Sequence, residues 1–198
     1  MRTRKSGEER KAEVISAALK LADEYGPDRV TTDTLAGAVG LTQAGLFRHF
    51  PKKQDIWESV AEYIGHQMQK RWASTGRRLH DTPEQRLIRL VLGQLRLIQS
   101  FPAIPALLFS RELMIENKRL RTIFTGFLGR FHEHLKNCVV DAQDAGSFRA
   151  DLKADDVAYL LIALIQGLAV RWSVNDRRFS LLKEGERLLE LQLQGLRN

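Results

Sequence analysis

Residues 31–54 read Thr31-Thr32-Asp33-Thr34-Leu35-Ala36-Gly37-Ala38-Val39-Gly40-Leu41-Thr42-Gln43-Ala44-Gly45-Leu46-Phe47-Arg48-His49-Phe50-Pro51-Lys52-Lys53-Gln54. Two short helical phrases are legible in this stretch. Thr31 is a residue type that caps a helix start, its hydroxyl accepting from a backbone N–H a few residues on, and Leu35, Ala36 and Val39 follow at helical spacing. Gly40 then stands where the chain has to turn sharply. Thr42 opens a second capped phrase carrying Leu46, Phe47 and Phe50. Pro51 closes it, because proline keeps the residue before it out of the helical region. Two capped helices joined across Val39-Gly40-Leu41 have the grammar of a helix-turn-helix. The eight residues Thr42 to His49 make a rod of about 12 Å, which suits a major groove about 12 Å wide. Small Ala44 and Gly45 would let its backbone approach base edges.

Working outward, Val14, Ala17, Ala18, Leu21, Ala22 and Tyr25 recur at helical spacing, which predicts a first helix over 7–25 stopped by Gly26-Pro27. Beyond Pro51 the turn signals predict helices over 53–75, ended by Gly76, and over 82–100, 102–116, 118–145, 153–174 and 178–196. No alternating strand pattern of useful size and no long internal repeat interrupts them. The expected fold is therefore all-α with about nine helices: a three-helix head at 1–52 that carries the helix-turn-helix and a longer helical body at 53–198.

Bulk properties agree with an intracellular DNA-binding protein. The chain has 198 residues, a formal net charge of +7 and a pI near 9.8, so a polyanionic partner is plausible. Residues 1–53 hold ten Lys/Arg against seven Asp/Glu, and Arg2, Arg4 and Lys5 precede the first apolar face, where they form an arm that could enter a minor groove. A single cysteine, Cys138, excludes an internal disulfide, and the charged first residues are unlike a signal peptide. The longest apolar run, Val157 to Ile165, stops at Gln166, short of the roughly 18 residues of a membrane span. A reducing cytoplasm and no membrane partner are expected.

Residues 31–54, with helix one and its Tyr25-Gly26 ending, resemble the DNA-binding head of the TetR/AcrR family. The resemblance covers about residues 8–55 without a gap across the quoted stretch. It implies a homodimer on an inverted repeat of double-stranded DNA, and the side chains permit the roles it assigns. Gln43 can pair with an adenine edge, while Thr42 caps or touches phosphate. Ala44 and Gly45 lie on the approaching surface, Arg48 takes guanine or phosphate, and His49 and Lys53 match backbone-contacting positions of the family. Thr32 adds a phosphate contact. Two departures stand out: Phe47 occupies a position where the family often has tyrosine, and Lys52 one where it often has a small polar residue. Lys52 would compensate electrostatically for the lost hydroxyl. Leu35, Ala36, Val39, Leu46 and Phe50 read as core beneath this surface.

In the body, Val157 to Val170 is apolar around nearly the whole helix, more than one core-facing stripe requires. With the leucines of the last helix, it predicts a two-fold four-helix interface that includes Leu160, Leu161, Leu164, Leu168, Leu182, Leu189 and Leu193. The resemblance further implies an apolar effector cavity, for which Phe124, Phe127, Phe131 and Trp172 are the candidate lining. His132 and His134 sit two apart, about 200° around a helix, which argues against metal chelation by that pair. Cys138 reads as a packing residue. No phosphate loop, nucleophile elbow or zinc-protease helix is present, so neither an enzyme nor a cofactor is expected. The function expected is a sequence-specific repressor released by a small apolar effector. The alternative is a DNA-bound protein of the same fold that answers to a protein partner, as nucleoid-occlusion members of the family do.

Overall fold

The computed structural model describes residues 5–75 and 81–198. Its helices are α1 (Gly7–Tyr25), α2 (Thr32–Ala38), α3 (Gln43–Phe47), α4 (Lys53–Thr75), α5 (Pro83–Ser100), α6 (Ala103–Phe109), α7 (Arg111–Glu116), α8 (Lys118–Asp144), α9 (Ala154–Val174) and α10 (Leu181–Gln194), with one 3-10 turn at Pro27–Arg29. Among the described residues the only β-pairing is an isolated bridge between Phe148 and Arg197, so the fold is all-α as expected. Arg2, Arg4 and Gly76 lie outside the described residues.

One expected helix is two. The segment predicted over 102–116 breaks at Ser110, whose backbone is extended and whose hydroxyl caps α7 by accepting from Leu113 N. The same hydroxyl donates to the Asp28 carboxylate at 2.6 Å. A buried serine with both bonds made is a better stop than its sequence suggests, because serine within an apolar run gives no turn signal of its own.

By compactness the chain forms two units, and the division does not follow the expected boundary at 52/53. The first takes the described residues of Met1–His66 together with Phe101–Thr125, and the second Gln67–Ser100 with Gly126–Asn198. In the first unit α1 packs on α2, on the 3-10 turn and on α6, and α7 meets the 3-10 turn. Its core draws Val14, Ala18 and Ala22 from α1, Leu35 from α2, Leu46 from α3, Ile56, Trp57 and Ile64 from α4, and Ile104 and Leu107 from α6. Gln54 Nε2 donates to the Glu116 carbonyl at 3.3 Å and Asn117 Nδ2 to the Gln54 carbonyl at 3.4 Å, joining the first turn of α4 to the α7–α8 junction. Asn117 Oδ1 meanwhile caps α8 by accepting from Leu120 N.

In the second unit α5, α9 and α10 pack mutually. Leu87, Leu95, Leu161, Ile165, Leu168, Leu181, Leu189 and Leu193 are among its buried residues. Arg197 clamps the C-terminal end through Glu84 and Glu190. Glu184 of α10 accepts two hydrogen bonds from Arg187 and one from Arg171 of α9, and these hold its carboxyl down at about 2. Gly185 on α10 is a close-approach glycine: a methyl there would overlap Leu95 Cδ1 and reach within 3.9 Å of Leu168 Cδ1. Leu95 is fully buried, so its side chain would have to repack inside the core to make room. Gly185→Ala is therefore expected to destabilise the protein by overpacking, about 1–3 kcal/mol, against a helix-propensity gain of about 1 kcal/mol. A fall in thermal midpoint is the expected result, and a rise would show that α10 can move away from α5.

α9 is long and apolar enough to cross a bilayer, but 44% of its most apolar stretch is buried in the protein. Its apolarity divides into two faces. Leu161, Ile165 and Leu168 face inward, while Tyr159, Leu160, Ala163, Gly167, Val170 and Val174 form an exposed stripe with Leu164 at its edge.

Candidate nucleic-acid interface

The quoted stretch folds as its caps dictate. Thr31 Oγ1 accepts from Thr34 N at 3.1 Å and Thr34 Oγ1 from Thr31 N at 3.0 Å, a reciprocal cap that starts α2. Gly40 adopts φ +65°, a region that a side chain resists, and Leu41 N returns to the Ala36 carbonyl at 2.9 Å to close α2. Thr42 Oγ1 then accepts from Gly45 N at 3.1 Å and starts α3.

α3 is shorter than the expected rod, since its α-helical hydrogen bonding spans only Gln43–Phe47. His49 N bonds the Leu46 carbonyl, so the last turn tightens before Pro51, which supplies no N–H to continue the ladder. The turn still presents one surface. Thr42, Gln43, Ala44, Phe47, Arg48 and Lys52 are exposed, Thr32, Gly45, His49 and Lys53 are half-buried, and Leu46 and Phe50 are buried beneath them. Phe47 is 40% exposed, an aromatic ring offered to solvent from the C-terminal end of the reading helix. Lys52 N donates to Asp55 Oδ2 at 2.9 Å, which caps the start of α4 and leaves the Lys52 ammonium outward.

Gly45 has a local reason beside any approach to DNA. A Cβ there would sit 3.3 Å from Thr42 Oγ1, crowding the cap that holds the helix start. Thr42 uses its oxygen as the cap acceptor and keeps its hydroxyl proton available for a phosphate.

Sequence reasoning passed over two residues on this side of the head. Arg10 and Glu13 of α1 are ion-paired, Arg10 Nη1 to Glu13 Oε2 at 3.0 Å, and Lys5 also bonds Glu13. Lys5, Ser6, Gly7 and Arg10 line a concavity of about 640 Å³ together with Arg48 and His49. Its signal was the basic residues spaced along the first turns of α1, masked by the acidic residues between them.

The candidates in the body separate. Phe124 belongs to the first unit and Phe127, Phe131 and Trp172 to the second, and all four are buried. Phe131 stacks on Trp72 with ring centroids 5.6 Å apart, and the Trp172 indole N–H donates to the Phe179 carbonyl at 3.1 Å. Each of those two has a packing role complete in itself. Of the leucines expected at a dimer interface, Leu160 is exposed and Leu164 and Leu182 are half-buried. Leu161, Leu168, Leu189 and Leu193 are buried inside their own unit, where they have no surface left for a partner. An α-helix that is apolar all round cannot announce from its sequence which face turns inward, and 161 and 168 lie about 100° from 160 and 167.

His132 and His134 part company as the spacing predicts: His132 is buried against the Tyr159 ring at 4.2 Å, and His134 lies by Trp72 at 5.1 Å. Burial pushes the Cys138 thiol up, which suits a packing residue better than a reactive one.

Against known proteins, residues 14–60 match the family described as bacterial regulatory proteins, tetR family, and residues 77–196 match the BetI-type transcriptional repressor C-terminal family. The chain belongs to the TetR family. Among curated relatives of this TetR-family regulator, a nucleoid occlusion factor SlmA from Vibrio atlanticus is 33% identical over 182 residues, covering 89% of each chain. Among solved structures, a transcriptional regulator from Saccharomonospora viridis in complex with choline superposes with TM-score 0.83 at 22% identity, over 96% of this chain and 99% of that one. The regulator FadR from Bacillus subtilis in complex with stearoyl-CoA gives 0.76 at 18%, over 93% and 98%. These two likenesses establish the fold, and the family matches establish a TetR-family DNA-binding regulator.

Proposed function

We propose that the protein is a cytoplasmic, nucleoid-associated homodimeric repressor that grips an inverted repeat through the Thr42–Lys53 surface of each subunit and releases it on binding a small apolar effector. The observation that carries the DNA reading is the exposed set Thr42, Gln43, Phe47, Arg48 and Lys52 held over a buried Leu46 and Phe50. Such a surface has fixed geometry beneath and free donors above, which base reading requires.

The dimer follows from the outward stripe of α9, Leu160, Ala163, Gly167, Val170 and Val174, with Leu164 at its edge and Leu182 and Leu191 contributed by α10. Exposed apolar residues at helical spacing on one face, with small residues in the middle, suit close packing against a second copy. Two subunits on a two-fold axis space their reading helices by about 34 Å or a multiple, and an inverted repeat is the matching DNA symmetry. Lys53, Lys52, His49 and Thr32 are the phosphate-contacting set and Gln43 the base reader, with Arg48 on either. The effector reading rests on the BetI-type match and on fold relatives solved with choline and with stearoyl-CoA. Phe124, Phe127, Phe131 and Trp172 remain its candidate lining.

A second reading is favoured by one observation in the head. Ala12, Ile15 and Leu19 of α1 and Tyr63 of α4, with Phe101, line an open groove of about 610 Å³, in which Tyr63 stands edge-on to Phe101 at 5.8 Å. Together with relatives named nucleoid occlusion factor, this groove supports a DNA-bound protein that answers to a protein partner. Selection of bound sites from random duplexes, repeated with apolar and cationic small molecules, separates the two. An inverted repeat recovered in both rounds but weakened by a small molecule supports the first reading, and a repeat that no compound weakens supports the second.

Within the first reading, Gln43→Ala is expected to cost about 1–3 kcal/mol of operator affinity, roughly 5- to 150-fold, and to relax base preference at one position per half-site. Lys53→Ala should instead weaken all duplexes alike and reduce the salt slope by about one. Gel-shift titrations on the selected site and on single-base variants distinguish these results, and equal losses on every variant for Gln43→Ala would remove Gln43 from base reading.

A further inference from the structure

The concavity between the start of α1 and the end of α3 combines features that the reading helix alone does not have. Its lining comes from two separate elements, Lys5, Ser6, Gly7 and Arg10 on one side and Arg48 and His49 on the other. Arg48 and His49 make no side-chain hydrogen bond or ion pair among the described residues. The α1 start is already organised: Ser6 Oγ accepts from Glu9 N at 3.2 Å, and Glu9 folds back to accept from Ser6 N at 2.7 Å. That reciprocal cap takes up the Glu9 carboxylate.

Glu13 is the exception to this cationic setting. Its carboxylate, one-third exposed, accepts from both Lys5 and Arg10, and the hydrogen bond from Lys5 is the main cause holding it below its ordinary range. Lys5 and Arg10, which line the concavity with Arg48, are therefore both neutralised by Glu13 of α1. Exposed pairs of this kind contribute little to stability, so holding the fold together is a weak account of them. They are also readily exchanged for a phosphate, which offers more acceptor oxygens and a fixed geometry.

We propose that this concavity extends the DNA-gripping surface into a further phosphodiester site, in which Arg10 and Lys5 leave Glu13 to take a DNA backbone phosphate beside Arg48 and His49. It rests on the DNA-binding reading given above. Glu13 acts as a resident competitor: it keeps the two cations in place in the free protein and lowers net affinity for any duplex. Because only a phosphate is recognised, the contribution is the same for every base sequence.

The test is a fluorescence-anisotropy titration of the full-length protein on its selected site and on an unrelated duplex, across a salt series. Glu13→Gln is expected to tighten binding to both by about 2- to 10-fold at low salt and to steepen the salt slope. Arg10→Gln is expected to weaken both and to flatten the slope by about one, whereas Arg10→Lys keeps most of it. Glu24→Gln, an equal charge change at the far end of α1 where Glu24 accepts from the Tyr25 hydroxyl, controls for net charge. Equal gains for Glu13→Gln and Glu24→Gln, or an unchanged slope in Arg10→Gln while the wild-type protein binds normally, overturn the second site and leave the base-reading surface standing. A wild-type protein that binds neither duplex overturns both.

Discussion

Gly167→Glu is expected to give a folded protein that runs as a monomer in light scattering and holds the full inverted repeat about 10²–10⁴-fold more weakly than wild type. Gly167 lies in the exposed stripe of α9, and nothing stands within 4 Å of where its Cβ would be. In a single subunit the substitution is harmless, and replacing a mid-helix glycine gains up to about 1 kcal/mol of helix stability. In the proposed dimer this stripe packs on its own copy, so a carboxylate from each subunit would be brought into an apolar setting, where burying unpaired charge is costly. Loss of the second head removes the effective-concentration gain of two linked sites, which sets the size of the expected drop. A half-site duplex should bind the variant and the wild type alike. A variant that stays dimeric would place the interface elsewhere.

The second large effect is expected one helix turn from the DNA. Leu46→Ala removes a fully buried side chain at the centre of the first unit, a truncation that costs about 2–5 kcal/mol. In a protein of this size each kcal/mol corresponds to about 2–4 °C in the thermal midpoint, so the fall should be readily visible. Phe47→Ala, its neighbour in sequence, removes a ring that is 40% exposed and is expected to leave the midpoint nearly unchanged while weakening operator binding. Calorimetry and gel shift on the pair form a crossed test. If Phe47→Ala destabilised as much as Leu46→Ala, the surface assigned to DNA would have to be reassigned to the core.

How much of this was legible in the sequence depended on whether the cause was local. The helix-turn-helix was legible because its determinants, the Thr31 and Thr42 caps, Gly40 at positive φ and Pro51, act within four residues of themselves. The inward and outward sides of α3 followed, since Leu46 and Phe50 share a face and Gln43 and Phe47 another. The break at Ser110 was not legible, because it depends on Asp28, 82 residues earlier in the chain. Nor was the inward face of α9: Leu160 and Leu161 are equivalent in composition, and only the packing of α5 and α10 decides between them. The Lys5–Glu13–Arg10 cluster was hidden for a related reason, since a near-neutral run of mixed charges reads as an ordinary solvated helix face until its neighbours across space are known.

The membership of Phe101–Thr125 in the first unit has a practical consequence for protein engineering. Cut after Pro51 and grafted onto another effector module, the DNA-reading part is expected to lose elements that complete its core. Its floor is laid by a stretch that the ribosome supplies some fifty residues later, through Ile104 and Leu107 beneath α1 and the Ser110 bond to Asp28. Chimaeras of this protein should therefore exchange both pieces together, and an early truncation would expose raw apolar surface where α6 belongs.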